Sequence, residues 1–207
     1  KSNVQGEIFK TGNTVIDSLL ITAKKNTKFK LMDLNNKFIL LTVHRRENRG
    51  KKLQSIAEGI LSIAAKHKDI YFLIPMHPSP EVIHSLKNIL DNHPRIKLSA
   101  PLSYVEMVSA IKQCHFVMTD SGGIQEEAPS LGKPVLVLRD TTERPEGIDS
   151  GTAKLIGTNS SSIFLEADKL LTNSDIYQKM SKAINPYGDG SASKRIVSIC
   201  KKKLDNL

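Results

Sequence analysis

Four short stretches hold the residue types best suited to chemistry. "DSGGIQEE" (120–127) ends an apolar run with an Asp, a Ser and two glycines, then places two adjacent glutamates one helical turn further on. "RDTTERPEG" (139–147) follows the next apolar run and sets Arg144 between Glu143 and Glu146. "HRREN" (44–48) puts His44, Arg45 and Arg46 directly after a strand-like run, and "HPSPE" (77–81) does the same with His77. Ser121, Gly122 and Gly123 stand where a strand would turn into a helix. Glycine lets a backbone approach a ligand closely and take positive φ, and the first N–H groups of a helix are free donors toward an anion. That is the chemistry of a phosphate seat. It matches neither established glycine-rich phosphate fingerprint, and a plain tight turn accounts for the glycines equally well.

Glu126 and Glu127 lie about 100° apart around a helix, so only one of them faces a ligand at the helix start. Glu127, about a turn after Gly123, is the better placed. A carboxylate there repels phosphate but suits a pair of ribose hydroxyls as a double acceptor; the alternative is a solvated acid favoured by the helix dipole. Arg144 can fork onto phosphate oxygens or pair within its own loop. His44, Arg45 and Arg46 repel one another at a single strand tip, so they call for a diphosphate or for acidic side chains close by. His77, taken alone, reads as a structural hydrogen-bonding histidine. No spacing of metal ligands and no nucleophile elbow is present, so no metal is expected.

The elements that must position these residues are legible as alternating patterns. Continuous apolar runs at 37–43, 70–76, 95–99, 116–119, 134–138 and 153–157 suit parallel strands covered on both faces. Between them Leu53, Ile56, Ile60, Ile63 and Ala64 repeat at helical spacing, as do Val82, Leu86, Ile89 and Leu90, and Val105, Val108 and Ile111. Ser79 and Ser103 are candidate N-caps, the first followed by Pro80 at the first helical position. Repeated strand–helix–strand units predict an α/β fold with an open, doubly wound parallel sheet. In such sheets ligands bind beyond the carboxyl ends of the strands, where all four polar stretches fall. Pro129 predicts that the helix after the glycines is held to about two turns or kinked. Helices are also expected over 13–25, 163–184 and 191–203. The division is a connecting segment and helix (1–25), a Rossmann-like binding domain (26–184) and a C-terminal helical extension (185–207).

The chain's 207 residues suffice for a proper core, and 39% hydrophobic with 25% charged residues is ordinary for a globular protein. No run is apolar for the 18 to 20 residues, roughly, of a membrane span, and no signal-peptide pattern opens the chain; no membrane partner is expected. The chain starts without Met, as a piece of a longer polypeptide would. Cys114 and Cys200, both in apolar stretches, read as small buried residues in a reducing cytosol. The formal charge of +9 comes from 30 Lys and Arg against 21 Asp and Glu. The lysines are scattered apart from groups at 24–30, 51–52 and 201–203, and no aromatic–basic interleaving offers a stacking platform. Nucleic acid is therefore not the expected partner.

"TVHRREN", "DSGGIQEEAPSLGKPVLVLRDTTERPEG" and "NPYGDGSASKRI" closely resemble the non-hydrolysing bacterial UDP-N-acetylglucosamine 2-epimerases, and "IFKTGNTVIDSLL" resembles that family's segment joining its two domains. The resemblance runs the whole length of this chain, which corresponds to the second half of the family's protein. It implies the C-terminal, nucleotide-binding domain of a two-domain GT-B architecture, with substrate in the cleft between the domains. By resemblance, Ser121, Gly122 and Gly123 hold the diphosphate, Glu127 the ribose hydroxyls, and Leu102 and Met107 the uracil, although Phe is commoner than Met at the latter position. Arg144 and His44 approach the phosphates near the reacting sugar, His44 being the catalytic candidate. Arg45 and His77 match residues that touch an activating second UDP-N-acetylglucosamine in some members.

The implied reaction interconverts UDP-N-acetylglucosamine and UDP-N-acetylmannosamine by eliminating UDP to a glycal and adding it back, with no cofactor. The acid–base carboxylates belong to the other domain, so this half alone is expected to bind UDP weakly and not to epimerise. A homodimer is expected of the full-length enzyme, in the cytoplasm. Two other readings stay open: the nucleotide domain of a GT-B glycosyltransferase, and a non-enzymatic nucleotide-sugar-binding remnant or sensor.

Overall fold

The computed structural model describes residues 6–25 and 37–205. Residues 26–30 of the basic group at 24–30, and the outermost residues of the first and last segments, lie outside the described residues.

The strands are β1 (Lys37–Thr42), β2 (Ile70–Pro75), β3 (Ile96–Ser99), β4 (Val117–Thr119), β5 (Val135–Val137) and β6 (Ala153–Leu155). They form one parallel sheet in the order β3-β2-β1-β4-β5-β6. The helices are α1 (Thr14–Ala23), α2 (Lys51–Lys66), α3 (Pro80–Leu90), α4 (Tyr104–Gln113), α5 (Gly122–Ser130), α6 (Pro145–Asp149), α7 (Ser160–Thr172), α8 (Ser174–Ser181) and α9 (Ala192–Leu204). The doubly wound parallel sheet expected from the apolar runs is what the chain forms.

The continuous runs follow from burial on both faces. Side chains alternate along a strand: Ile39, Leu41 and Val43 join one core with α2, α3 and α7, while Phe38 and Leu40 join a second with α4 and α5. Phe38, Phe72 and Phe116 are essentially fully buried, each contributing about 1.5–3 kcal/mol. Helix α2 turns Leu53, Ile56, Ile60 and Ile63 inward, and Gly59 lets α7 approach so closely that an added Cβ would lie 2.9 Å from Ile163 Cγ2.

Capping follows the sequence with two refinements. Ser103 caps α4 in a full capping box with Glu106, whereas Ser79 takes the N-cap position of α3 without a side-chain bond. The helix expected over 163–184 is two helices. Asn173 ends α7, and its side chain accepts from Asp175 and Ile176 N–H to start α8.

The chain's first and last described segments meet. Asp17 of α1 accepts from the amides of Ala192 (3.1 Å) and Ser193 (2.7 Å), capping α9 from another helix. In "NPYGDG" Gly190 takes φ of +82°, a left-handed conformation that favours glycine, and a Cβ there would sit 2.6 Å from Leu20 Cδ1. Helix α1 packs against α4 and α5, next to the site.

The cysteines divide. Cys114 is fully buried, and burial pushes its thiol up to about 12. Cys200 corrects the expectation of two buried thiols: α9 buries only Ala192, and Cys200 is exposed. Among the described residues no helix is long and apolar enough to cross a membrane.

Candidate functional site

The sheet order reverses between β1 and β4, and a crevice opens beyond their carboxyl ends. The loops 43–50 and 120–123 leave the sheet side by side there. Below them Thr42 and Thr119 share a buried hydrogen bond of 2.6 Å between their hydroxyls.

Asp120 organises the crevice. Its side chain is wholly buried and accepts from the amides of His44 (3.0 Å) and Arg45 (2.8 Å) and from Asn48 Nδ2 (3.0 Å). His44 Nδ1 lies 3.0 Å from its other oxygen. Burial pushes the Asp120 carboxyl up, but the bonds from His44 and Arg45 overcome this and hold it below the ordinary value. The carboxylate fixes the turn after β1 and the His44 ring, which stacks with His77 at 5.9 Å between centroids.

Helix α5 starts at Gly122, with Ser121 as an N-cap whose side chain makes no cap bond. The amides of Gly122, Gly123 and Ile124 therefore have no intrahelical acceptor. Neither Gly122 nor Gly123 has positive φ; only at Gly122 does another group approach closely enough to need the missing side chain. A Cβ on Gly123 would meet nothing nearer than Ser121 Oγ at 3.9 Å, whereas one on Gly122 would meet Glu143 Oε1 at 2.9 Å and Arg45 Nη2 at 3.7 Å.

The acids that the basic cluster calls for are present. Arg45 pairs with Glu143, and Glu143 also binds Arg139. Arg139, nearly buried, reaches Glu47 at 2.8 Å. Desolvation pushes the Glu143 carboxyl up, but its own amide and the two guanidiniums outweigh that and hold it at about 2. Arg144 makes its ion pair with Glu126, and its guanidinium donates within its own loop to the Glu143 carbonyl, at 3.1 Å; Glu126 also accepts from Asn13 Nδ2. Gln125 takes a 2.7 Å bond from Thr142, so the loop from 139 to 144 is fastened to α5 at several points.

Both glutamates of α5 are buried rather than solvated, and they do face apart. Glu126 turns to Arg144, Glu127 to the phenol of Tyr104 at the start of α4. Burial pushes the Glu127 carboxyl up and neighbouring Glu126 adds to this, with the Tyr104 hydroxyl partly offsetting both. Tyr104 itself is half-exposed, so Glu127 sits behind a side chain that has room to move.

A pocket of about 270 Å³ opens beside α5, with His44, His77, Leu102, Met107, Ser121 and Ile124 in its walls. Small-molecule pockets run to roughly 300–1,000 Å³, so this one suits a base-sized group rather than a whole nucleotide sugar. His44, His77, Leu102, Met107 and Ser121 are thus brought together. Gly122 and Gly123 open the adjoining helix with Arg45 beside them, while Arg144 meets the next turn of α5 at Glu126, the neighbour of Glu127.

Asp120, Asn48, Arg139, Glu143 and Tyr104 are site residues to which the sequence reading gave no role. The signal for two of them was present: three cations at one strand tip need acids, and Asp120 and Glu143 are acids in the neighbouring loops. Among the described residues no three of His, Cys, Asp and Glu converge as metal ligands do.

A family model described as UDP-N-acetylglucosamine 2-epimerase matches residues 1–201. A Bacillus subtilis protein of that name is 47% identical over 92% of this chain and 50% of its own length. Among solved structures, the S. aureus MnaA–UDP co-structure superposes with a TM-score of 0.90 at 46% identity, over 95% of this chain and 55% of that one. A Neisseria meningitidis UDP-GlcNAc 2-epimerase bound to UDP-GlcNAc gives 0.87 at 42%, over 93% and 54%. The chain spans about half the length of the curated relatives it matches.

Proposed function

This chain belongs to the UDP-N-acetylglucosamine 2-epimerase family, and from that premise we propose that it is the UDP-binding half of an enzyme interconverting UDP-N-acetylglucosamine and UDP-N-acetylmannosamine. The observation that carries the reading is the convergence of His44, Leu102, Met107 and Ser121 on one base-sized pocket beside the free amides of α5. The uracil enters that pocket, against Leu102 and Met107. The ribose diol exchanges with the Tyr104 hydroxyl on Glu127. The diphosphate lies over Ser121, Gly122 and Gly123, within reach of Arg144 and His44. Arg45, beside the α5 seat at Gly122, and His77 flank the crevice, where a second nucleotide sugar beside the substrate would also meet them.

The chemistry asked of this half is to stabilise charge on departing UDP as the C1–O bond breaks and the glycal forms. Oriented amides and cations that need no reorganisation do this best. His44, fixed by Asp120, donates toward the leaving diphosphate, and Arg144 neutralises it. Removal and return of the C2 proton fall to carboxylates of the other half, so this chain alone does not epimerise. The full-length enzyme is a cytoplasmic homodimer.

Calorimetric titration with UDP, with ADP as the control, tests the reading. UDP binds and ADP binds far more weakly, because the pocket is built for the smaller base. Glu127→Ala and Arg144→Ala, shown to be folded by circular dichroism, each weaken UDP by about tenfold or more, or 1.4 kcal/mol. Equal binding of UDP and ADP, or indifference to both substitutions, overturns it.

A further inference from the structure

Glu143 stands beside the start of α5. Its Oε1 is 2.9 Å from the position of a Cβ on Gly122, the first residue of that helix. Arg45 Nη2, 3.7 Å from the same point, is paired with that oxygen, and Arg139 holds the other. Arg45 Nε is buried without a hydrogen-bond partner, so this guanidinium is incompletely satisfied. Arg139 keeps Glu47 if Glu143 leaves, whereas Arg45 has no other carboxylate in reach among the described ion pairs. The Glu143 side chain is 38% exposed, so it has solvent to move into, unlike wholly buried Asp120.

We propose that the Glu143 carboxylate is a built-in substitute for a ligand phosphate at the start of α5, and that a nucleoside diphosphate binds by displacing it and taking over Arg45. The proposal rests on the reading of α5 as the diphosphate seat and adds how that seat is regulated. Glu143 fills the seat in the free protein, prevents Arg45 from being left as an unpaired cation, and sets affinity by competition. A neutral nucleoside does not contest the seat; any ligand with a diphosphate does.

The test titrates the whole chain and its Glu143→Gln variant with UDP, inorganic pyrophosphate and uridine. UDP and pyrophosphate bind the variant about three- to tenfold more tightly, as when a competent state populated roughly a tenth to a third of the time becomes dominant. Uridine binds both proteins alike. A second measurement needs no substitution: in the ¹³C-glutamate-labelled chain, the Glu143 carboxyl resonance moves on saturation with pyrophosphate. Equal or weaker diphosphate binding by a folded variant, or a stationary Glu143 resonance while the Gly122 and Gly123 amides shift, overturns the proposal and leaves the seat itself standing. If UDP and pyrophosphate shift neither glycine amide, the reading of the seat falls and the proposal with it.

Discussion

Replacing Asp120 with Asn keeps the side chain's shape and removes its charge, and the geometry sets the cost. The carboxylate accepts from two backbone amides and one side-chain amide, and it pairs with the His44 ring. Asn retains one acceptor oxygen and turns an NH₂ toward groups that are themselves donors. At about 1.5–3 kcal/mol for each hydrogen bond to a charged group, losing two costs roughly 3–6 kcal/mol. The cost of breaking a buried ion pair, about 3–5 kcal/mol, falls in the same range. In urea the unfolding midpoint should drop by about 1–2 M for a slope near the upper end of the usual 1–3 kcal/mol/M. UDP affinity should fall as well, since the His44 ring loses its anchor.

The pH dependence gives an independent check. The folded carboxyl lies below the ordinary value of 3.8, so its contribution is present above that value and is lost as pH falls through the folded value. The gap between the native chain and the variant should therefore be constant near neutrality and close in strong acid. A folded variant less than about 1 kcal/mol weaker than the native chain, the scale of one ordinary hydrogen bond, would refute the view that Asp120 organises the crevice.

Two further substitutions probe the frame. Gly59→Ala should destabilise by about 1–2 kcal/mol: overpacking costs roughly 1–3, against up to about 1 gained in helix propensity. The new Cβ would lie 2.9 Å from Ile163 Cγ2 and 3.2 Å from Ser160 O; an unchanged or raised midpoint would show that α2 and α7 are not so closely packed. His115 stacks on Tyr177, and burial, with Lys37 and Lys133, pushes its ring from 6.5 down to about 4. Between those values the unfolded chain takes up a proton that the folded chain does not, so stability falls as pH drops through that window. His115→Phe should lose less stability than the native chain between pH 7.5 and 5; parallel losses would mean that the ring is not held neutral.

How much was legible in the sequence depends on the range of the interaction. The sheet was readable because strands buried on both faces must be continuous apolar runs, and β1 with its alternating partners in two cores is the case in point. The break at Asn173 carried its own local sign in "TNSD", a cap sequence inside an otherwise periodic run. Cys200 was misjudged because local apolarity does not say whether a helix such as α9 has anything to pack against. The two α5 glutamates show the limit best. Their angular separation follows from helix geometry, but Glu126 finds its partners at Arg144 and at Asn13, 113 residues away. Only the folded chain brings the first segment to that carboxylate. Glycine's habits offer both close approach and positive φ at Gly122 and Gly123; neither takes positive φ, and only at Gly122 does a neighbour, Glu143, stand where a side chain would be.

The pairing at the crevice changes what the chain's +9 charge means. His44 has Asp120, Arg45 has Glu143 and Arg144 has Glu126, while Arg46 is exposed and joins none of the described ion pairs, so the crevice is largely paired internally rather than an open positive hole. An incoming diphosphate gains the difference between its own contacts and the carboxylate contacts it replaces, a smaller quantity than the sum of either. Asp120 and Glu126 are buried and fixed, and displacing them would leave a buried charge unpaired, which is costly. Glu143, on an exposed side chain between two arginines of which one keeps another partner, is the acid whose exchange costs least. On the proposed exchange, selectivity for a diphosphate would come from which carboxylate can leave, and the site's cations would serve as acceptors of that exchange more than as a source of long-range attraction.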